Sequence, residues 1–147
     1  MESLTHTKCD CKYHIVWIPK YRRKIIYGQL RQDIIDILKV LCKQKGITII
    51  EGSAGKDHIH MLIEFPAKYS VSQIVGYLKG KSAIAIFAKY AKLKYKFGNQ
   101  SLWAKGYFAS TAGVEIEVLK KYIKQQENAD MIVSEGTTVE YKDPFKE

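Results

Sequence analysis

The order in which strand and helix patterns follow one another constrains the fold of this chain most. Runs that alternate apolar and polar residues indicate strands, whereas apolar residues spaced three and four apart indicate helices. These patterns predict strands over residues 12–19, 47–51, 58–65 and 107–111, and helices over residues 29–45, 70–90 and 115–127. The resulting order, β-α-β-β-α-β and then a helix, predicts an α+β, ferredoxin-like antiparallel sheet. Its helices cover one face, and we expect the other face to be open to a partner.

The boundaries between these segments carry their own signals. Residues 52–57 contain two glycines and an aspartate, which predicts a turn that joins the second and third strands in a hairpin. Ser70 and Gln73 have the spacing of a capping box at the start of the second helix. We expect one domain over residues 1–128, followed over residues 129–147 by a polar, acidic tail.

The charge distribution favours an anionic partner. The formal net charge is +9 and the pI is about 9.4, and residues 65–114 contain no Asp or Glu. A solvated face normally mixes both signs, so this long basic stretch indicates phosphate contacts and nucleic acid as the partner. The candidate DNA-binding residues are Lys20, Arg22, Arg23, Lys79, Lys81 and Lys105.

The three cysteines favour a cytoplasmic protein. An odd count without framework spacing indicates reduced thiols, and we find neither a signal-peptide core nor an apolar run long enough to span a membrane. A zinc site remains an alternative use, because His6, Cys9, Cys11 and His14 lie close together in the sequence. Their spacing is not that of a common zinc finger.

Two histidines stand out in the third predicted strand. Because strand side chains alternate between faces, His58 and His60 share the open face while Ile59 and Met61 point to the core. Imidazoles two residues apart can converge on one metal ion. Taken alone, the pattern fits two surface histidines at least as well.

The last predicted helix carries a second candidate pair. Tyr122 and Gln126 are four residues apart and therefore share a helix face. On its own this pair fits an aromatic residue at the core edge beside a solvated polar residue. The segment Gly80-Lys81-Ser82 resembles the end of a phosphate-binding loop, but Val75 replaces the required glycine and the segment lies inside a predicted helix. We expect the glycines at 76 and 80 to allow a close approach to that helix instead.

Four sequence blocks together resemble one family. They run from about Cys11 to Gln126, and they are Lys12-Tyr13-His14-Ile15-Val16-Trp17 with Pro19-Lys20-Tyr21-Arg22-Arg23, Asp57-His58-Ile59-His60-Met61-Leu62, Leu102-Trp103 with Gly106-Tyr107-Phe108 and Ser110-Thr111, and Tyr122-Ile123 with Gln126. Their types and order resemble the single-tyrosine HUH transposases of small bacterial insertion sequences, in which HUH stands for histidine, hydrophobic residue, histidine.

The resemblance implies a mechanism and an assembly. It implies that His58, His60 and Gln126 bind Mg²⁺ or Mn²⁺ and that Tyr122 is the nucleophile, which forms a 5′-phosphotyrosine intermediate. It also implies that the substrate is single-stranded DNA with hairpin ends, and that the protein is a homodimer whose subunits share active sites.

Two alternatives remain open at this stage. One is a repeat-associated or domesticated endonuclease with the same chemistry. The other is a ferredoxin-like module that binds nucleic acid without catalysis, which would normally carry aromatic residues on its open sheet face. The histidines at 58 and 60 occupy that face here and favour an enzyme.

Overall fold

The computed structural model describes residues 12–98, 101–111 and 121–122. Its strands and helices follow the predicted order, and their bounds are β1 Lys12–Trp17, α1 Gly28–Gln44, β2 Thr48–Gly55, β3 His58–Glu64, α2 Val71–Lys89, α3 Ala91–Lys96 and β4 Phe108–Ser110. No helix in the described part of the chain is long and apolar enough to cross a membrane.

The four strands form one antiparallel sheet in the order β2-β3-β1-β4. This is the ferredoxin-like arrangement, in which the first and third strands are central. The register pairs Val16 of β1 with His60 of β3, and His14 with Leu62. On its other side β1 pairs Val16 with Phe108 of β4. Directly paired residues point to the same face, so His14, Val16, His60 and Phe108 share one face.

The opposite face of the sheet forms the core. Its inward residues on β1 and β3 are almost completely buried: Ile15, Trp17, Ile59, Met61 and Ile63. The helices α1 and α2 pack against each other and supply the remaining core residues. Cys42 of α1 lies in this core with 1% exposure, and burial raises the pKa of its thiol to about 12.

The helix ends follow the sequence signals. Ser70 caps α2: its hydroxyl accepts from the backbone N–H of Gln73, whose side chain accepts in return from the backbone N–H of Ser70. The predicted capping box is therefore confirmed. Gly46, at a φ of +67°, follows α1 in the left-handed conformation that glycine favours.

Two local predictions differ from the structure. Strand β2 extends to Gly55, so the turn before β3 contains only two residues rather than the whole segment 52–57. A shift in register between Ile49 and Glu51 accommodates this extension. The basic connection after α2 contains the short helix α3, which the pattern did not indicate. Most of the predicted last helix and the whole tail lie outside the described residues, but Lys121 and Tyr122 are helical.

Candidate active site

The histidine pair lies where the sequence places it. His58 and His60 are both half-buried and lie on the face of β3 that points away from the helices. Ser53 of β2 is paired with His60, and Gly55 is paired with His58. Beside His60 is a depression of about 380 Å³ whose lining also includes Glu51 and Leu62.

His58 is held by its own hairpin. The Nδ1 atom of His58 lies 2.9 Å from Oδ1 of Asp57, and Nε of Arg22 lies 3.8 Å from the other carboxylate oxygen. A carboxylate at Nδ1 favours the proton on that nitrogen, so Nε2 keeps its lone pair. The ring also lies against Gly55, where an added Cβ would come within 2.3 Å of Cε1 of His58.

The hairpin is fixed to the rest of the molecule by hydrogen bonds to two of its backbone carbonyls. The backbone N–H of Ile26 donates to the carbonyl of Lys56 at 3.0 Å, and Nε of Arg31 donates to the carbonyl of Ala54 at 3.0 Å. Because both acceptors lie just before Asp57 in the chain, Ile26 and, in α1, Arg31 help to set the position from which Asp57 reaches His58.

His60 is held across the sheet. Its Nε2 atom lies 3.1 Å from Nδ1 of His14 on β1, and the two ring centroids are 5.3 Å apart. Burial, with further contributions from His14 and His58, lowers the pKa of His60. The imidazole is therefore neutral at neutral pH, which is the form that binds a metal ion.

The two histidines fit a divalent metal ion but provide only part of a site. Among the described residues, no group of three or more His, Cys, Asp or Glu side chains is arranged to hold a metal ion. Any further ligand must come from a residue of another type, from a residue outside the described part, or from substrate and water. Gln126, the predicted third ligand, lies outside the described residues.

Tyr122 lies over the same sheet face as the histidines. Its ring centroid is 5.8 Å from that of Phe108 on β4, and its hydroxyl is buried. Phe108 pairs with Val16, which pairs with His60. Val16 is 0% exposed, so this half of the face is covered. The sequence predicts a fully open face, and the structure differs from that prediction here.

The predicted DNA contacts have varied surroundings. Lys20 is 3% exposed. The ammonium of Lys79 donates to the carbonyls of Ala104 and Gly106 at 2.7 and 2.6 Å. The guanidinium of Arg23 lies over Phe97, 4.5 Å from the ring centroid. These three side chains therefore contact their own chain, as Arg22 does at Asp57, whereas Lys105 is exposed and Lys81 is half-buried.

Trp103 belongs to one of the four sequence blocks that resemble the family. Trp103 is buried, packs edge-on against Trp17, and donates from Nε1 to the hydroxyl of Ser82 at 2.9 Å. It is thus a core residue.

The phosphate-loop alternative is excluded by α2, which runs unbroken through Gly80. The residues at 76 and 80 line a cavity of about 310 Å³ between α2 and the segment around Trp103.

Sequence reasoning did not assign a role to Asp57, and it gave His14 a role only in the alternative zinc site. Asp57 precedes His58 directly, and a carboxylate next to a candidate ligand is a signal that could have identified it. His14 has no such signal, because it meets His60 only through the register of β1 on β3. The proposed zinc site is not supported at His14, whose Nδ1 faces His60, while residues 6, 9 and 11 lie outside the described part.

Comparison with known proteins places this geometry in context. The family described as IS200-like transposase matches residues 7–126. The chain is 45% identical over 129 residues to the transposase for insertion sequence element IS200 of Salmonella typhimurium, covering 88% of this chain and 85% of that protein. It is 30% identical over 120 residues to the ISDra2 transposase TnpA of Deinococcus radiodurans, covering 81% and 86% respectively.

Two solved structures share the fold. A putative transposase from Deinococcus radiodurans has a TM-score of 0.76 at 24% identity, covering 86% of this chain and 98% of that one. A REP-associated tyrosine transposase bound to a REP hairpin has a TM-score of 0.52 at 10% identity, covering 84% and 68%. At these identities the likeness concerns the fold.

Proposed function

This chain belongs to the IS200-like transposase family, and we propose that it cuts and rejoins single-stranded DNA through a covalent bond to Tyr122. The observation that carries this proposal is the placement of Tyr122 on the sheet face that also holds His58 and His60. A nucleic-acid-binding module without catalysis would have no use for a half-buried histidine pair on the same sheet face as a buried tyrosine hydroxyl.

The proposed step conserves the number of phosphoester bonds. The hydroxyl oxygen of Tyr122 attacks the scissile phosphorus, and the bond from phosphorus to the 3′ oxygen breaks. The tyrosine proton is lost as the new bond forms, and the departing 3′ oxygen takes up a proton to become a hydroxyl. Attack by a 3′-hydroxyl on the phosphotyrosine reverses the step, so rejoining needs no ATP.

We propose Mg²⁺ or Mn²⁺ as the cofactor, with His58 and His60 as ligands and Gln126 as the third. A bound divalent ion at this position supplies charge that polarises the scissile phosphate. The contribution of the chain is to present neutral imidazole nitrogens in fixed orientations. The Asp57 contact orients the ring of His58, and burial lowers the pKa of His60.

We propose single-stranded DNA with hairpin ends as the substrate. The net charge of +9 and the absence of Asp and Glu from residues 65–114 support a phosphate-binding surface. The REP-associated transposase with the same fold was solved with a hairpin bound. Mobilisation of an insertion sequence is the proposed outcome, as in the IS200 relative.

The test of the nucleophile is Tyr122→Phe, with Tyr95→Phe as the matched control. Tyr95 is 85% exposed on α3, so its hydroxyl can be removed without disturbing packing. Each variant is incubated with Mn²⁺ and a single-stranded hairpin oligonucleotide labelled on its 3′ portion, and the adduct is resolved on a denaturing gel. We expect an adduct with the wild type and Tyr95→Phe, and none with Tyr122→Phe. An adduct in Tyr122→Phe would show that another tyrosine attacks.

We further propose a homodimer in which Tyr122 of one subunit serves the histidine pair of the other. Neighbouring strands lie about 4.8 Å apart, so β4 under Tyr122 is about 10 Å from β3, with β1 between them. In its position over Phe108, Tyr122 therefore lies to one side of the pair. Gly113 precedes the predicted helix that carries it, and this glycine could serve as a joint for a helix exchange.

Mixing two inactive proteins tests the shared site. Tyr122→Phe and His60→Ala are combined under conditions in which subunits exchange, and a 3′-labelled DNA adduct is measured. A shared site restores one of the two sites in a mixed dimer, because an intact tyrosine meets an intact histidine pair. If mixed dimers form and no adduct appears, each site is built within one subunit.

A further inference from the structure

His14 contacts the proposed metal ligand His60, yet none of the proposed steps uses it. It lies on β1 opposite Leu62, diagonally across from His60. The two rings are 34° from parallel, and Nδ1 of His14 is 3.1 Å from Nε2 of His60. Both side chains are half-buried, so the contact is partly shielded from competition by water.

The geometry is that of a hydrogen bond rather than of two ligands around one ion. Two ligand nitrogens direct their lone pairs at a common third point, whereas these two nitrogens face each other. His14 also does not join His58 and His60 in any described group arranged to hold a metal ion. His14 is therefore a hydrogen-bond partner of His60 and not a third ligand of the same ion.

We propose that His14 is a positioning residue that holds the ring of His60 in the orientation needed to bind the metal ion. In this arrangement the Nε2–H of His60 donates to Nδ1 of His14, and Nδ1 of His60 keeps its lone pair for the metal. The inference rests on the proposed function, because it gives His60 the role of a ligand.

The two histidines would then bind through different nitrogens. At His58, Asp57 engages Nδ1 and leaves Nε2 available. At His60, His14 engages Nε2 and leaves Nδ1 available. Partners of this kind fix the tautomer and orientation of a ligand, and their loss weakens metal binding or activity by about 10–100-fold.

The first test is nuclear magnetic resonance of the metal-free full chain labelled with ¹⁵N. We expect the wild type to show a slowly exchanging Hε2 proton on His60, coupled through the hydrogen bond to Nδ1 of His14, with assignments from His60→Gln. This signal should be absent in His14→Ala. A proton on Nδ1 of His60 in the wild type, or the same slow proton in His14→Ala, would overturn the proposal.

The second test measures Mn²⁺ binding to the same proteins by electron paramagnetic resonance. We expect His14→Ala to bind Mn²⁺ about 10–100-fold more weakly, and His14→Asn, whose amide oxygen can accept the same hydrogen bond, to recover part of the loss. The control is Glu64→Ala, an exposed change on the same face of β3, with wild-type binding expected.

The outcomes separate the inference from the function on which it rests. If the wild type neither binds Mn²⁺ nor forms an adduct, the proposed function fails. The slowly exchanging proton of His60 then still shows whether the hydrogen bond to His14 exists. If the wild type does both and His14→Ala binds Mn²⁺ equally well with an unchanged melting temperature, His14 is not a positioning residue.

Discussion

His58 and His60 are neighbours on the same face of β3, two residues apart in the sequence, yet their surroundings differ. His58 is held by Asp57, its immediate neighbour in the chain, and lies against Gly55 of the same hairpin. His60 is held by His14, which is 46 positions away in the sequence. One support is thus local and comes from a carboxylate, whereas the other depends on the register of the sheet and joins two imidazole rings.

The largest expected effect comes from removing a ligand outright. His60→Ala should reduce the rate of adduct formation by on the order of 10²–10³-fold, because it removes a group that holds charge at the reacting phosphate. His58→Ala should do the same despite its different surroundings. The measurement is the initial rate across a Mn²⁺ titration. Full activity in either variant would show that the metal is bound elsewhere.

A smaller effect is expected from removing the local support. Asp57→Ala should lower activity by about 10–100-fold, since the ring of His58 loses the partner that fixes its tautomer. The half-saturating Mn²⁺ concentration should rise while DNA binding changes little. If only DNA binding falls, the carboxylate acts through Arg22, at 3.8 Å, rather than through His58.

Gly55→Ala should disturb the position of His58 alone. The new methyl group would meet the ring within 2.3 Å, and the flexible side chain can rotate away more easily than the hairpin can open. We expect a loss of about tenfold in rate, because displacements on the order of 1 Å can cost up to about 100-fold. The melting temperature should hardly change. An unchanged rate would mean that the ring position over Gly55 is not the one used in the reaction.

The smallest effect on the site is expected from Asp33→Asn, in the helix layer. A hydrogen bond from Tyr90, then Gln29 and Lys89, lowers the pKa of Asp33 to about 2 from 3.8. A carboxyl whose pKa is depressed on folding stabilises the fold above the unfolded pKa and loses that contribution as pH falls to the folded one. The wild type should therefore melt a few degrees above the variant at pH 7, and the gap should close between about pH 4 and 2.

Activity at neutral pH provides the control for that variant. We expect Asp33→Asn to form the adduct at the wild-type rate below its melting temperature, because Asp33 packs on the opposite side of the sheet from the histidines. A loss of activity would indicate that the helix layer and the site are coupled. The same contact raises the pKa of Tyr90, which makes that hydroxyl a poor alternative nucleophile.

The sequence was sufficient for the features that depend on local pattern. Alternation in β3 correctly assigned His58 and His60 to the face opposite Ile59 and Met61. The ferredoxin-like order and the capping box at Ser70 were likewise predictable, because periodicity and helix-end chemistry are written in neighbouring residues. Asp57 also lay within reach of such reasoning.

Features that depend on register were not predictable in this way. The contact between His14 and His60 requires knowing which residues of β1 lie opposite His60 and Leu62 of β3, and these are Val16 and His14. Lys20 is buried although its side chain is charged, because residues 18–20 pair with residues 102–104. The burial of Val16 on the histidine face, and the contact of Tyr122 with Phe108 beside it, likewise join residues distant in sequence.

The pairing of β1 with β3 has a consequence for how such a site can be transplanted or diversified. A hairpin exchanged between relatives as one block, residues 48–64, would carry Asp57, Gly55 and His58 together and keep that half intact. The other half would depend on whichever β1 the recipient provides, because His14 stays behind. Chimaeras should therefore keep a working histidine pair when β1 and β3 come from the same parent. The segment 12–64 is the smallest continuous segment that contains both strands.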